Sequence, residues 1–180
     1  MRFPLFLVMI ALLFGACEKE RSTKTKPQTP PSQTVKKEAP KPPSFTFVDG
    51  NRTVHLTIEG DTITSDIPKP IVLYFFYTSW CPSCKAQMPE LQRLYQSFKK
   101  DLFILGLPLD RGDKRADFFC SQSIEENEKF AKSIYPRLQA GANMPIPLIL
   151  VTKNGRYFIH YKGAVPYEIL KSDIQRAKGE

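Results

Sequence analysis

Seven consecutive apolar or aromatic residues, Ile71 to Tyr77, lead into Trp80-Cys81-Pro82-Ser83-Cys84-Lys85, and an amphipathic segment starts near Cys84. A run that is apolar throughout is what a central strand covered on both faces requires. From Cys84 to Lys100, Met88, Leu91, Leu94, Tyr95 and Phe98 recur at helical spacing, and Pro89 within that span predicts a kink. The stretch therefore reads as strand, tight turn with two thiols, and helix. Two cysteines separated by two residues can close a small disulfide. The first of them, expected to be exposed, faces the unsatisfied N–H groups and positive dipole end of the helix, which favour thiolate over thiol. Cys81 is thus expected to be a low-pKa nucleophile. Cys84, one turn deeper, is expected to be shielded and to resolve a mixed disulfide formed at Cys81.

A zinc site is the alternative use of such a pair. It needs two further ligands at workable spacing, and only Cys17, Cys120, His55 and His160 remain, all isolated in the sequence. Redox chemistry is the better reading, and no metal or cofactor is expected. His55, within a β-rich alternation, reads as structural or exposed.

The amino end has a different character. Met1-Arg2 precedes an apolar stretch, Phe3 to Phe14, which is shorter than the ~20 residues that span a bilayer. Residues 1–16 read as an export signal. Residues 17–44 follow as a tether. Between Glu18 and Ser44 it carries six prolines and seven Lys/Arg against three Glu, with almost no large apolar residue. Such a composition cannot bury a core and stays extended, reaching roughly 80 Å at ~3.1 Å per residue. The chain's formal charge of +8 is concentrated there, since Phe45 to Glu180 holds 18 Lys/Arg against 15 Asp/Glu. The folded part, residues 45–180, is nearly balanced, so nucleic acid is not an expected partner. Anionic lipid headgroups suit the basic tether, and simple solvation suits it equally.

Along the folded part, Phe45 to Val48, Thr53 to Ile58 and Thr62 to Thr64 alternate with turn residues and predict short antiparallel strands that extend or cap a sheet. Leu102 to Leu107 reads as a second buried strand. In the excursion from Arg111 to Asn143, Ala116 to Cys120 and Ile124 to Leu138 read as helical. Leu148 to Thr152 and Arg156 to Lys162 form a hairpin about Lys153-Asn154-Gly155, and Tyr167 to Lys178 is a closing helix. The strand–helix–strand unit implies a parallel pair and the hairpin an antiparallel one, hence a mixed sheet with helices on both faces.

In this order and spacing the chain resembles the thioredoxin superfamily. The resemblance rests on Trp80-Cys81-x-x-Cys84-Lys85, on Pro89 five residues on, on Ile146-Pro147 eight residues before Gly155, and on Lys162-Gly163-Ala164. It implies a thioredoxin-like α/β fold with an N-terminal strand extension and an insertion before the cis-proline strand. It also implies a cis bond at Pro147 and a substrate-binding surface of Trp80, Pro82, Ile146 and Pro147 around the redox pair. Leu13-Phe14-Gly15-Ala16-Cys17 resembles the bacterial lipobox, in which the cysteine, here Cys17, is lipidated; a plain signal peptide is the other reading. With these features the chain looks most like the membrane-anchored TlpA/ResA-like subgroup of extracytoplasmic thiol–disulfide reductants. Implied partners are exported clients with cysteines or disulfides, a membrane electron donor or acceptor, and the membrane itself through the lipid anchor. Haem-site cysteines of apocytochrome c are one client implied by the subgroup.

Two positions depart from the pattern. Phe75 stands where thioredoxin has a buried acid, and Gln87 where many anchored reductases have a glutamate. Deprotonation of Cys84 is left to water, or to Glu90 if the helix turns it inward. Cys120 reads as a buried small hydrophobe rather than a thiol that pairs with a partner or a second copy. Three functions stay open: a tethered reductase, an oxidase or isomerase running the same atoms in reverse, and a copper(I) binder using Cys81, Cys84 and Met144.

Overall fold

The structure is a computed structural model that describes residues 41–112, 116–139 and 144–179. Cys17, the export segment and the tether through residue 40 lie outside the described residues.

Strand β4 (Ile71–Tyr77) is the axis of the sheet, and all seven of its residues are buried. It pairs parallel with β5 (Leu102–Pro108) on one side and antiparallel with β7 (Leu148–Lys153) on the other. The Asn154–Gly155 turn returns β7 as β8 (Arg156–Lys162). Both turn residues have positive φ, and a Cβ on Gly155 would stand 2.5 Å from the Ile63 carbonyl oxygen, so glycine is required there for space as well as conformation. Strands β1 (Ser44–Asp49), β2 (Arg52–Glu59) and β3 (Thr62–Ser65) add an antiparallel meander to the β8 edge. With β6 (Phe119–Cys120) they complete an eight-stranded mixed sheet in the order β1-β2-β3-β8-β7-β4-β5-β6. The expected thioredoxin-like α/β fold is present, and the N-terminal strands extend the sheet.

Because successive side chains on a strand point to opposite faces, β4 seeds two cores. Ile71, Leu73, Phe75 and Tyr77 face helix α1 (Pro82–Phe98), with Leu91, Leu94 and Phe98, and helix α3 (Tyr167–Lys178), with Leu170, Ile174 and Ala177. Val72, Tyr74 and Phe76 face helix α2 (Ile124–Ile134), with Phe130, Ala131 and Ile134, and the inward residues of β1 and β2. Both cysteines of the pair belong to the α1/α3 core, whereas Met144 packs against the α2 core.

Two expectations need correction. Residues Ala116 to Cys120 are not helical, because Phe119 and Cys120 form β6, parallel to β5 through Leu105↔Phe119 and Gly106↔Cys120. The segment buries both faces, Phe119 in the α2 core and Phe118 and Cys120 in the α1/α3 core, which suits a strand and not one side of a helix. Gly106 makes room, since a Cβ there would lie 3.0 Å from Cys120 Sγ and 3.2 Å from the Phe118 ring. The α2 helix stops at Ile134 and not Leu138: its C-cap Tyr135 keeps right-handed helical angles, but Pro136 follows and has no N–H to continue the ladder. Among the described residues no helix is long and apolar enough to cross a membrane.

Candidate active site at the start of the first helix

The chain leaves β4 at Tyr77, turns through Thr78, Ser79 and Trp80, and enters α1 at Pro82, whose fixed φ and missing N–H suit a first helical position. Cys81 is the N-cap. Its Sγ accepts the N–H of Cys84 at 3.2 Å, taking the place that a serine or aspartate oxygen fills in an ordinary cap. Cys81 and Cys84 form a disulfide with their Cα atoms 5.2 Å apart. A disulfide sulfur has no proton, so the Ser83 hydroxyl, 3.2 Å from Cys81 Sγ, is the donor in that contact. After reduction the same two donors, with the helix dipole behind them, favour a thiolate at Cys81. No carboxylate lies in the first turn of α1 to oppose it.

Cys81 is not exposed as expected but only 4% accessible, and Cys84 is buried at 1%. The cover is the loop before β7. The Ile146–Pro147 peptide bond is cis, and the Ile146 carbonyl oxygen lies 3.9 Å from Cys81 Sγ. Ile146 packs on the α1/α3 core, which brings the two stretches together across 65 residues of sequence. Trp80, by contrast, is 68% exposed beside the pair, and Pro82 is exposed as well. An apolar rim thus surrounds a recessed sulfur.

Gln87 and Glu90 are both committed elsewhere. Gln87 is buried on α1, donates Nε2–H to the Val165 carbonyl at 3.1 Å, and accepts the Val165 N–H at Oε1 at 2.5 Å. Its amide, donor and acceptor at once, pairs with both the N–H and the C=O of Val165, as no carboxylate could. Glu90, not turned toward the cysteines as a base, accepts the N–H of Tyr167 at 3.1 Å. It thereby caps α3, whose own N-cap Pro166 offers no side-chain bond. Phe75 stacks on Tyr77 with ring centroids 4.8 Å apart. Burial first, and then the Cys120 thiol and the Asp110 carboxylate, raise the Tyr77 phenol above its ordinary range, so it stays a neutral hydrogen-bonding group. Cys120 is buried and outside any disulfide. His55 is exposed, its Nδ1 3.1 Å from the Thr46 hydroxyl, far from any role at the pair. Among the described residues no cluster of three or more His, Cys, Asp or Glu could hold a metal ion.

Sequence reasoning missed Asp110 altogether. It lies two residues past β5, at the carboxyl end of a buried strand, where sites in α/β sheets collect, and that position was the available signal.

Residues 40–150 match the model of the AhpC/TSA family. Over 45 residues, 25% of this chain, the sequence is 38% identical to Sporulation thiol-disulfide oxidoreductase A of Bacillus subtilis; that stretch spans only about a quarter (27%) of the relative's length. Thioredoxin 1 of Chlorobaculum tepidum is 23% identical over 123 residues, covering 68% of this chain and 97% of that protein. Among solved structures, a candidate Thiol:disulfide interchange protein DsbE from Chlorobium tepidum superposes with a TM-score of 0.53 at 20% identity, covering 76% of this chain and 94% of that one; this likeness is one of fold.

Proposed function

The chain belongs to the AhpC/TSA family, and from that premise we propose that it is a thiol–disulfide oxidoreductase that reduces disulfides in exported proteins. The observation that carries this reading is the Cys81–Cys84 disulfide at the amino end of α1, with Cys81 Sγ capping the helix beneath the cis Ile146–Pro147 bond. The names of the Bacillus and Chlorobium relatives point the same way.

In the reduced chain the Cys81 thiolate attacks one sulfur of a client disulfide. A Cys81–client disulfide forms, and the other client sulfur leaves as a thiolate that takes a proton from water. Cys84 then loses its proton to water and attacks Cys81 Sγ. The Cys81–Cys84 bond forms and the second client sulfur departs, so two electrons have passed to the client. Gln87 and Glu90 are occupied, which leaves solvent at the recessed pair to carry the proton. Trp80 and Pro82 supply an apolar surface for the client, and the backbone of Ile146 beside Pro147 pairs with its extended segment. Restoring the dithiol needs a two-electron donor in the membrane. The export signal and the basic, proline-rich tether favour an extracytoplasmic protein anchored by a lipid on Cys17, and apocytochrome c is one client consistent with that location.

Trapping thiols by alkylation in intact cells tests this reading. The expected result is a Cys81–Cys84 pair held mostly reduced and a protein that sediments with membranes, with Cys17→Ser shifting it to the soluble fraction. A pair found fully oxidised in cells contradicts the reductase assignment, and fractionation unaffected by Cys17→Ser contradicts the anchor.

A further inference from the structure

The loop that carries Trp80 and Cys81 is fastened by a residue from the loop that follows β5. Leu109 N–H donates to the Tyr77 carbonyl at 2.8 Å, extending the β4–β5 ladder one residue past the end of β5 and setting Asp110 beside Ser79. Asp110 then accepts three hydrogen bonds from that one residue. The Ser79 N–H reaches both carboxylate oxygens at 2.9 and 3.0 Å, and the Ser79 hydroxyl donates to Oδ2 at 2.6 Å. Two residues on, Gly112 lies so close that a Cβ there would fall 1.9 Å from Ser79 Cβ. Its φ is outside the glycine-favouring range, so what the position demands is space. Asp110 and Gly112 therefore hold Ser79 from two sides, immediately before Trp80 and Cys81. The Cys81 N–H reaches back to the Thr78 carbonyl at only 3.4 Å, so little within the turn itself fixes Trp80.

We propose that Asp110 is a positioning residue for the thiol site: its carboxylate, with Gly112 packed on Ser79, sets the place of Trp80 and Cys81 against the cis-proline loop and thereby the rate at which Cys81 engages a protein disulfide. The second half of this statement rests on the function proposed above; the first does not. Hydrogen bonds that N–H and O–H groups donate to a carboxylate are among the stronger ones, and catalytic rates are sensitive to displacements of about 1 Å.

Trp80 is the chain's only tryptophan, so it reports on the loop directly. The experiment uses the full-length protein and three variants, Ser79→Ala, Asp110→Asn and Asp110→Ala. Each is measured by time-resolved anisotropy of Trp80 and by the second-order rate of insulin disulfide reduction. Fast depolarisation is expected to rise in that order, from the variant that keeps both N–H bonds to the one that keeps none. Reduction of insulin by Asp110→Ala is expected to slow by about 10- to 100-fold, with partial rescue in Asp110→Asn. Folded variants whose Trp80 anisotropy matches the wild type, or whose insulin rates stay within about twofold of it, overturn the proposal. If Asp110→Ala does not fold, Ser79→Ala and Asp110→Asn decide the matter by the same two readings. A wild-type protein that does not reduce insulin at all removes the proposed function and the rate effect with it, while the anisotropy series still decides whether Asp110 fixes the loop.

Discussion

Cys84→Ser is expected to convert the protein from a catalyst into a trap. The variant retains Cys81 as the N-cap of α1, with the Ser83 hydroxyl and the residue-84 N–H still directed at its sulfur, so attack on a client disulfide proceeds. What it lacks is the second sulfur that releases the client, and the Cys81–client disulfide persists. Multiple turnover with a protein disulfide should fall by about three orders of magnitude, and a covalent adduct sensitive to dithiothreitol should accumulate. Cys81→Ser should lose turnover to the same degree and form no adduct. Non-reducing electrophoresis with mass spectrometry checks both variants. An adduct formed by the Cys81 variant through Cys84 would reverse the two roles, which the 1% exposure of Cys84 argues against.

Phe130→Ala should produce the largest loss of stability without touching the site. Phe130 is fully buried on α2, and its ring meets Phe45 at 5.1 Å, Tyr74 at 5.5 Å, Phe47 at 5.6 Å and Phe76 at 5.9 Å between centroids. It joins the N-terminal strand β1 to the central strand β4 through one side chain. Truncating a buried phenylalanine costs about 3–5 kcal/mol, and edge-on aromatic pairs add about 0.5–1.5 kcal/mol beyond area. At roughly 2–8 °C per kcal/mol, the melting temperature should fall by about 10–20 °C, with Phe130→Leu recovering much of the difference. Calorimetry of the three proteins decides it. A loss under about 1 kcal/mol would mean that β1 is not held against α2 as described.

How much of this was legible beforehand follows from which interactions are local. The apolar run from Ile71 to Tyr77, the Cys81-x-x-Cys84 turn and the periodicity through Phe98 are each carried by neighbouring residues, and each is present in the structure. The β7–β8 hairpin was likewise announced by its Asn154–Gly155 turn. What failed depended on partners distant in the chain. Phe119 and Cys120 became a strand because β5 offers an open edge and Gly106 leaves room beside it. Cys81 became recessed because Ile146, 65 residues later, covers it. Gln87 looked like a missing carboxylate, and its actual service to the Val165 peptide could only appear once α1 and the approach to α3 were side by side. Asp110 is the same case: its place just past β5 could be read locally, but its partner Ser79, 31 positions earlier, could not.

The reduction potential of the Cys81–Cys84 pair is the measurement that bears most directly on electron donation. The protein is equilibrated against dithiothreitol and glutathione couples, and the dithiol fraction is read by alkylation. The scale runs from roughly −270 mV for thioredoxin to about −120 mV for a strong disulfide-forming oxidant, with ~30 mV worth about 1.4 kcal/mol. A potential at or below about −230 mV is the expected result, because a donor of electrons must lie at the reducing end. A value near −120 mV would contradict it, since a pair that oxidising retains electrons rather than passing them to a client.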